Sequence, residues 1–150
     1  VKTLYILSDI IATPSQLKPE FLNSAISVAM ASPSKKRVGS ILLKKRRIIS
    51  AACNYDTKTH PIQEKYAILA SRIHENDVYS MKKYLHSELN CILRARGKGD
   101  TIVIARVGGH GGNKLRNSRP CPLCTLFLKQ NDITKIHYST VNGFMFEDWS

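Results

Sequence analysis

The stretch from Thr101 to Val107 is apolar except at Thr101 and Arg106, and a strand of that kind is covered on both faces. It therefore needs helices on two sides, and the rest of the chain supplies them. Lys18 to Ala31 places Phe21, Leu22, Ala25, Ile26, Ala29 and Met30 on one helical stripe, which Ser32-Pro33 ends. Gln63 to Ile73 reads as a short helix after the loop Thr57 to Pro61. Leu85, Leu89, Ile92 and Leu93 recur at i, i+4, i+7 and i+8, predicting a helix from Leu85 that Gly97-Lys98-Gly99 stops. Pro120 and Pro122 sit where a first helical turn tolerates proline and open another helix, with Leu123, Leu126 and Phe127 on one face.

Val38 to Leu43 and Ile48 to Cys53 read as two strands, and the basic turn Lys44-Lys45-Arg46-Arg47 joins them as an antiparallel hairpin. Ile136 to Thr140 is a further strand. Asn142-Gly143 is a tight-turn signal, so Phe144 to Glu147 are expected to return antiparallel beside it. The ten residues after Thr140 are too few for a crossover helix and a parallel strand. The predicted class is α/β: a three-layer α/β/α sandwich on a mixed sheet of about five strands, closed by a C-terminal antiparallel hairpin. One domain over residues 1–150 is expected.

The 23 Lys and Arg outnumber the 11 Asp and Glu, giving a net charge of +12. Such a field favours anionic partners, whether a free nucleotide, a polynucleotide or an acidic surface. No apolar run approaches the roughly 18 residues of a membrane span, so no membrane partner is expected. Val1 to Asp9 carries a short apolar stretch broken by Asp9, with no small-residue cleavage site after it, and no leader is expected there. Of the four cysteines, Cys121 and Cys124 form C-x-x-C, while Cys53 and Cys91 lie in apolar segments and read as buried small hydrophobes. That usage suits a reducing cytoplasm.

One constellation carries chemistry: His86-Ser87-Glu88, then Pro120-Cys121-Pro122-Leu123-Cys124. A C-x-x-C at a helix start brings two sulfurs within reach of one ion, and the helix's first amides stabilise thiolates there. His86, at another helix start, supplies a third ligand. Three protein ligands leave the fourth tetrahedral position of a Zn2+ ion to water, as catalysis requires. Glu88, two residues after the histidine and at the same helix end, is not expected to be a ligand; it is the candidate proton shuttle. The competing reading is a structural zinc site in a nucleic-acid-binding module, with His110 of the glycine-rich loop as the closing ligand.

H-x-E followed by P-C-x-x-C is the known mark of zinc nucleobase deaminases. From about Phe21 to Gly143 the chain resembles the cytidine/deoxycytidylate deaminase superfamily. His86-Ser87-Glu88-Leu89-Asn90-Cys91-Ile92-Leu93 is similar to the H-A-E-L-N-A-I-L stretch of deoxycytidylate deaminases. Arg37 to Leu42, Ile48 to Asn54 and Ile133 to Thr140 resemble family strands, and the outline resembles bacteriophage-encoded members. The resemblance implies the cytidine deaminase-like fold and a zinc-dependent hydrolase, cytoplasmic (in the host, if phage-encoded) and assembled as a homo-oligomer. It implies that His86, Cys121 and Cys124 bind zinc, that Glu88 moves protons, and that Asn54 contacts the substrate's sugar. Main chain around Ser87 and Pro120 would hold the base.

The family usually has alanine where Ser87 stands. The segment Gly108 to Arg119 is longer than typical and carries Lys114, Arg116 and Arg119. It reads either as a lid gripping a phosphate or as a surface loop. The substrate reading is a cytosine nucleotide, dCMP to dUMP first. The alternative is cytosine or adenine in single-stranded DNA or RNA. The basic clusters Lys35-Lys36-Arg37 and Lys44 to Arg47 contain no aromatic residue, and Tyr55, Tyr79 and Tyr84 lie near the site segments but outside the basic runs.

Overall fold

The computed structural model describes residues 10–150, apart from the side chain of His110. The expectation for Val1 to Asp9 and the closing-ligand role of His110 fall outside what is described. In chain order the elements are β1 (Thr13–Pro14), α1 (Pro19–Met30), β2 (Arg37–Lys44), β3 (Arg47–Cys53) and α2 (Pro61–His74). After a 3-10 turn at Asp77–Met81 come α3 (Ser87–Arg94), β4 (Thr101–Gly108), β5 (Lys114–Arg116), α4 (Pro122–Gln130), β6 (Lys135–Thr140) and β7 (Gly143–Asp148).

The strands form one mixed sheet in the order β1-β7-β6-β4-β2-β3, with β5 added to β4. Along one edge β4 pairs antiparallel with β2. Along the other, Thr101 to Ile104 pair parallel with β6, and Arg106 to Gly108 pair antiparallel with β5. The predicted hairpin is present, with β7 antiparallel to β6 and Gly143 at a φ of 117° in the turn.

Alternation within β2 and β4 divides the core. Ile41, Leu43, Val103, Ala105 and Val107 pack towards Ala25 and Ala29 of α1. Leu42, Ile102 and Ile104 pack on the opposite face with Cys91 of α3 and Leu128 of α4. A third cluster joins Tyr66 and Ala70 of α2, Leu89 of α3, and Leu123, Leu126 and Phe127 of α4. The layers are therefore α1, the sheet, and α2 with α3 and α4. Each large buried aliphatic side chain contributes about 1.5–3 kcal/mol by leaving water. Gly39 permits the α1 contact: a Cβ there would lie 2.2 Å from the Ala29 backbone nitrogen.

The structure departs from the sequence reading in four places. The helix predicted from Leu85 starts at Ser87, because Leu85 is held extended: its amide donates to the Lys58 carbonyl and its carbonyl accepts from the Tyr55 amide. Met30 and Leu93, placed on apolar stripes, are 43% and 40% exposed at the ends of their helices. Cys53 is only half-buried, since β3 is an edge strand. Finally, part of the segment expected as loop or lid is β5, and the sheet has seven strands because β1 and β5 extend it. Among the described residues no helix is long and apolar enough to cross a membrane.

Candidate metal and catalytic site

α3 and α4 begin at the same place, with His86 and Cys121 as their N-cap residues, and neither residue's side chain caps its own helix. The two side chains turn to each other instead. His86 Nδ1 lies 3.2 Å from Cys124 Sγ and 3.7 Å from Cys121 Sγ, and the three donor atoms fall within 4.8 Å of one another. Zinc–nitrogen and zinc–sulfur bonds of about 2.0 and 2.3 Å at tetrahedral angles put nitrogen and sulfur roughly 3.6 Å apart. The observed spacing brackets that value, and one imidazole with two thiols is a donor set zinc favours. Zinc fits these residues.

The electrostatics match a site built for a cation. A hydrogen bond from Cys124 holds the Cys121 thiol well below its ordinary value, and His86 adds to this against the cost of burial. Burial, and then the Cys121 charge, push Cys124 well above its ordinary value. The two thiols thus differ in how readily they lose a proton, and metal binding would release whatever protons they hold. Burial disfavours the His86 imidazolium, but the Cys121 hydrogen bond and charge outweigh it and raise His86 overall. Gln63, fully buried on α2, fixes this end of α3: its Oε1 accepts from the His86 amide at 3.1 Å, and its Nε2 donates to the Lys82 carbonyl at 3.0 Å.

Glu88 occupies the first turn of α3 and is 6% exposed. Burial raises its carboxyl above the ordinary carboxylate value, although His86 pulls the other way. Its Oε1 accepts from Ser87 Oγ at 2.9 Å, and Ser87 Oγ lies 2.7 Å from Ser40 Oγ on β2. A pair of buried hydroxyls therefore orients the carboxylate.

These groups form the floor of a cavity of about 520 Å³, where His86, Ser87, Glu88 and Cys121 meet Asn54, Asn117, Ser118 and Arg119. Lys35, Lys36, Lys82, Arg106, Tyr55 and Tyr84 stand among its remaining walls. The expected binding residues divide. Asn54 is on the wall, but its Oδ1 accepts from the Val38 amide and Ser32 Oγ, and its Nδ2 donates to the Lys36 carbonyl. It holds the Ser32–Lys36 loop in place and keeps one N–H to offer. Arg119 is on the wall too, with its Nε and Nη2 donating to Glu147 at 2.7 and 2.9 Å. Pro120 lies buried behind the lining, and Lys114 and Arg116 stand exposed on β5 outside it.

The sequence reading missed Ser40, Gln63 and Glu147. Ser40 carried a signal, being the one hydroxyl in an otherwise apolar strand; the other two are joined to the site only through the fold. Residues 15–140 match the family model described as the cytidine and deoxycytidylate deaminase zinc-binding region. The match spans all three metal-site candidates and Glu88. No curated protein matches the chain.

Proposed function

The chain belongs to the cytidine and deoxycytidylate deaminase zinc-binding family, and on that premise we propose that it hydrolyses the exocyclic amine of a cytosine nucleotide, dCMP to dUMP first. That it is a zinc-dependent deaminase follows from the family and the His86, Cys121 and Cys124 group. The observation that carries the mechanism is a buried carboxyl, Glu88, beside those three donors on a cavity floor.

Zinc, when bound by His86, Cys121 and Cys124, supplies an acidified water as the nucleophile. The protein's own part is to place the base and move protons. Glu88 Oε1 is held by Ser87, so Oε2 is the oxygen that takes the water's two protons in turn, handing the first to the ring nitrogen and the second to the exocyclic amine, which leaves as ammonia. Its burial raises the carboxyl above the ordinary carboxylate range, which favours the protonated form that gives the proton back. The main chain at Ser87 and the remaining N–H of Asn54 face the nucleoside. Lys35, Lys36 and Arg106 offer charge to a 5′-phosphate.

The test is ammonia release by zinc-loaded protein from dCMP, deoxycytidine, adenosine nucleotides and cytosine-containing single strands. Turnover of dCMP with at least tenfold lower kcat/KM for deoxycytidine is expected. No ammonia from any cytosine substrate would refute the proposal.

A further inference from the structure

We propose that one side of the cavity mouth is a docking strip for single-stranded nucleic acid, so that the site reaches cytosine carried in a strand as well as in a free nucleotide. This goes beyond the reading above and rests on it only for where the target base sits. The segment after β3 runs beside the one before α3: the Tyr55 amide donates to the Leu85 carbonyl, the Leu85 amide to the Lys58 carbonyl, and Thr59 bridges Tyr84. That pairing gathers aromatic and cationic side chains that are far apart in sequence. Lys58 Nζ lies 4.2 Å from the Tyr55 ring centroid and Lys83 Nζ 5.7 Å from that of Tyr84. Lys82 Nζ lies 5.5 Å from the ring of Tyr79, on the adjoining 3-10 turn. Tyr84 is 44% exposed, and Tyr55, Tyr84 and Lys82 also line the cavity.

Each unit of this strip is a ring face with an ammonium beside it, and each unit of a single strand is a base with a phosphate beside it. Stacking of a base on an exposed tyrosine outweighs the lysine contact it displaces, which frees the ammonium for phosphate. A mononucleotide has one phosphate and one base, and leaves most of the strip unused. The charge balance agrees. Among the described residues the ion pairs are Lys98 with Asp132 and Arg119 with Glu147, and no strip lysine is in either. Besides Glu88 on the floor, Asp56 is the acid lining the same cavity. Lys35 and Lys36 line the same cavity and add to its positive charge.

The experiment is fluorescence anisotropy of the full chain with labelled oligo-dT, oligo-rU and a DNA duplex across a salt series. The probes lack cytosine, so binding is read apart from deamination. Expected is tighter binding of a single strand than of duplex, with a log–log salt slope of about −2 to −3 for three or four phosphates. Tyr55→Ala and Tyr84→Ala each weaken it about tenfold, and Tyr84→Phe restores it. Lys58→Ala and Lys83→Ala each flatten the slope by about 0.7, while Lys98→Ala changes nothing. A preference for dT or rU identifies the strand's sugar and supports the strip either way. Equal affinity for duplex, unchanged binding in both tyrosine-to-alanine variants, or no binding at low salt overturns it. Strand binding without dCMP turnover would count against the deaminase reading alone; turnover without strand binding would count against the strip alone.

Discussion

Glu88 on the cavity floor and Glu147 on β7 are both buried carboxylates, 6% and 2% exposed, yet their environments drive them in opposite directions. Burial raises Glu88, whose carboxylate has the Ser87 hydroxyl as side-chain donor. Burial acts on Glu147 in the same sense, but Arg119, Tyr138 and Trp149 all donate to it and hold it below its ordinary value. Desolvation alone does not set a carboxyl's charge; the donors and charges set against it decide how far it is offset. A carboxyl short of donors can pick up and release a proton. One with four hydrogen bonds is a fixed anion, and here it ties the segment just before Cys121 to the C-terminal hairpin.

That contrast breaks most sharply at Glu88. Glu88→Gln should lower turnover by about 10³-fold, in the range of general acid–base catalysis, with zinc content and melting temperature nearly unchanged. Full activity in that variant, measured as ammonia release, would remove the distinction. Glu147→Gln should do the reverse. It leaves Arg119 without its anion and should cost about 2 kcal/mol in urea unfolding while kcat changes by no more than a few-fold.

Acid sharpens the contrast further. The folded-state value of Glu147 lies below its unfolded one, so its contribution is complete above the ordinary carboxylate range and is lost as pH falls through the folded value. Stability measured below about pH 4.5 should therefore decline less steeply in Glu147→Gln than in the parent. His137, stacked on Phe146, adds a second window: burial lowers it from 6.5 to about 4. The unfolded chain takes up that proton first, so stability should already decline as pH falls from 6.5 towards 4, and His137→Gln should lose that part of the slope. The smallest effect belongs to Ser87→Ala. It removes one hydrogen bond from Glu88 and should slow turnover by less than about tenfold.

How much of this was legible in the sequence follows from how local each cause is. The start of α4 was readable because Pro122 and the C-x-x-C lie within one turn, and the β4 run announced its two covered faces. The hairpin was readable from Asn142-Gly143. Arg119 was readable only as a free cation, because its partner Glu147 is 28 residues away and reaches it through β7. Gln63 looked like an ordinary helical polar residue until α2 packed it under His86. Lys-Leu-Arg at β5 is too short to show a period, and the Tyr55, Lys58, Lys83 and Tyr84 group exists only once two loop segments pair.

The central claim is that His86, Cys121 and Cys124 hold one zinc ion and leave it open. X-ray absorption at the zinc edge of the metal-loaded protein tests this directly. The account predicts one equivalent of zinc with two sulfur neighbours near 2.3 Å and two lighter neighbours near 2.0 Å, one of which exchanges when a substrate analogue is added. Zinc absent after loading, or four ligands that persist unchanged with the analogue bound, would contradict it.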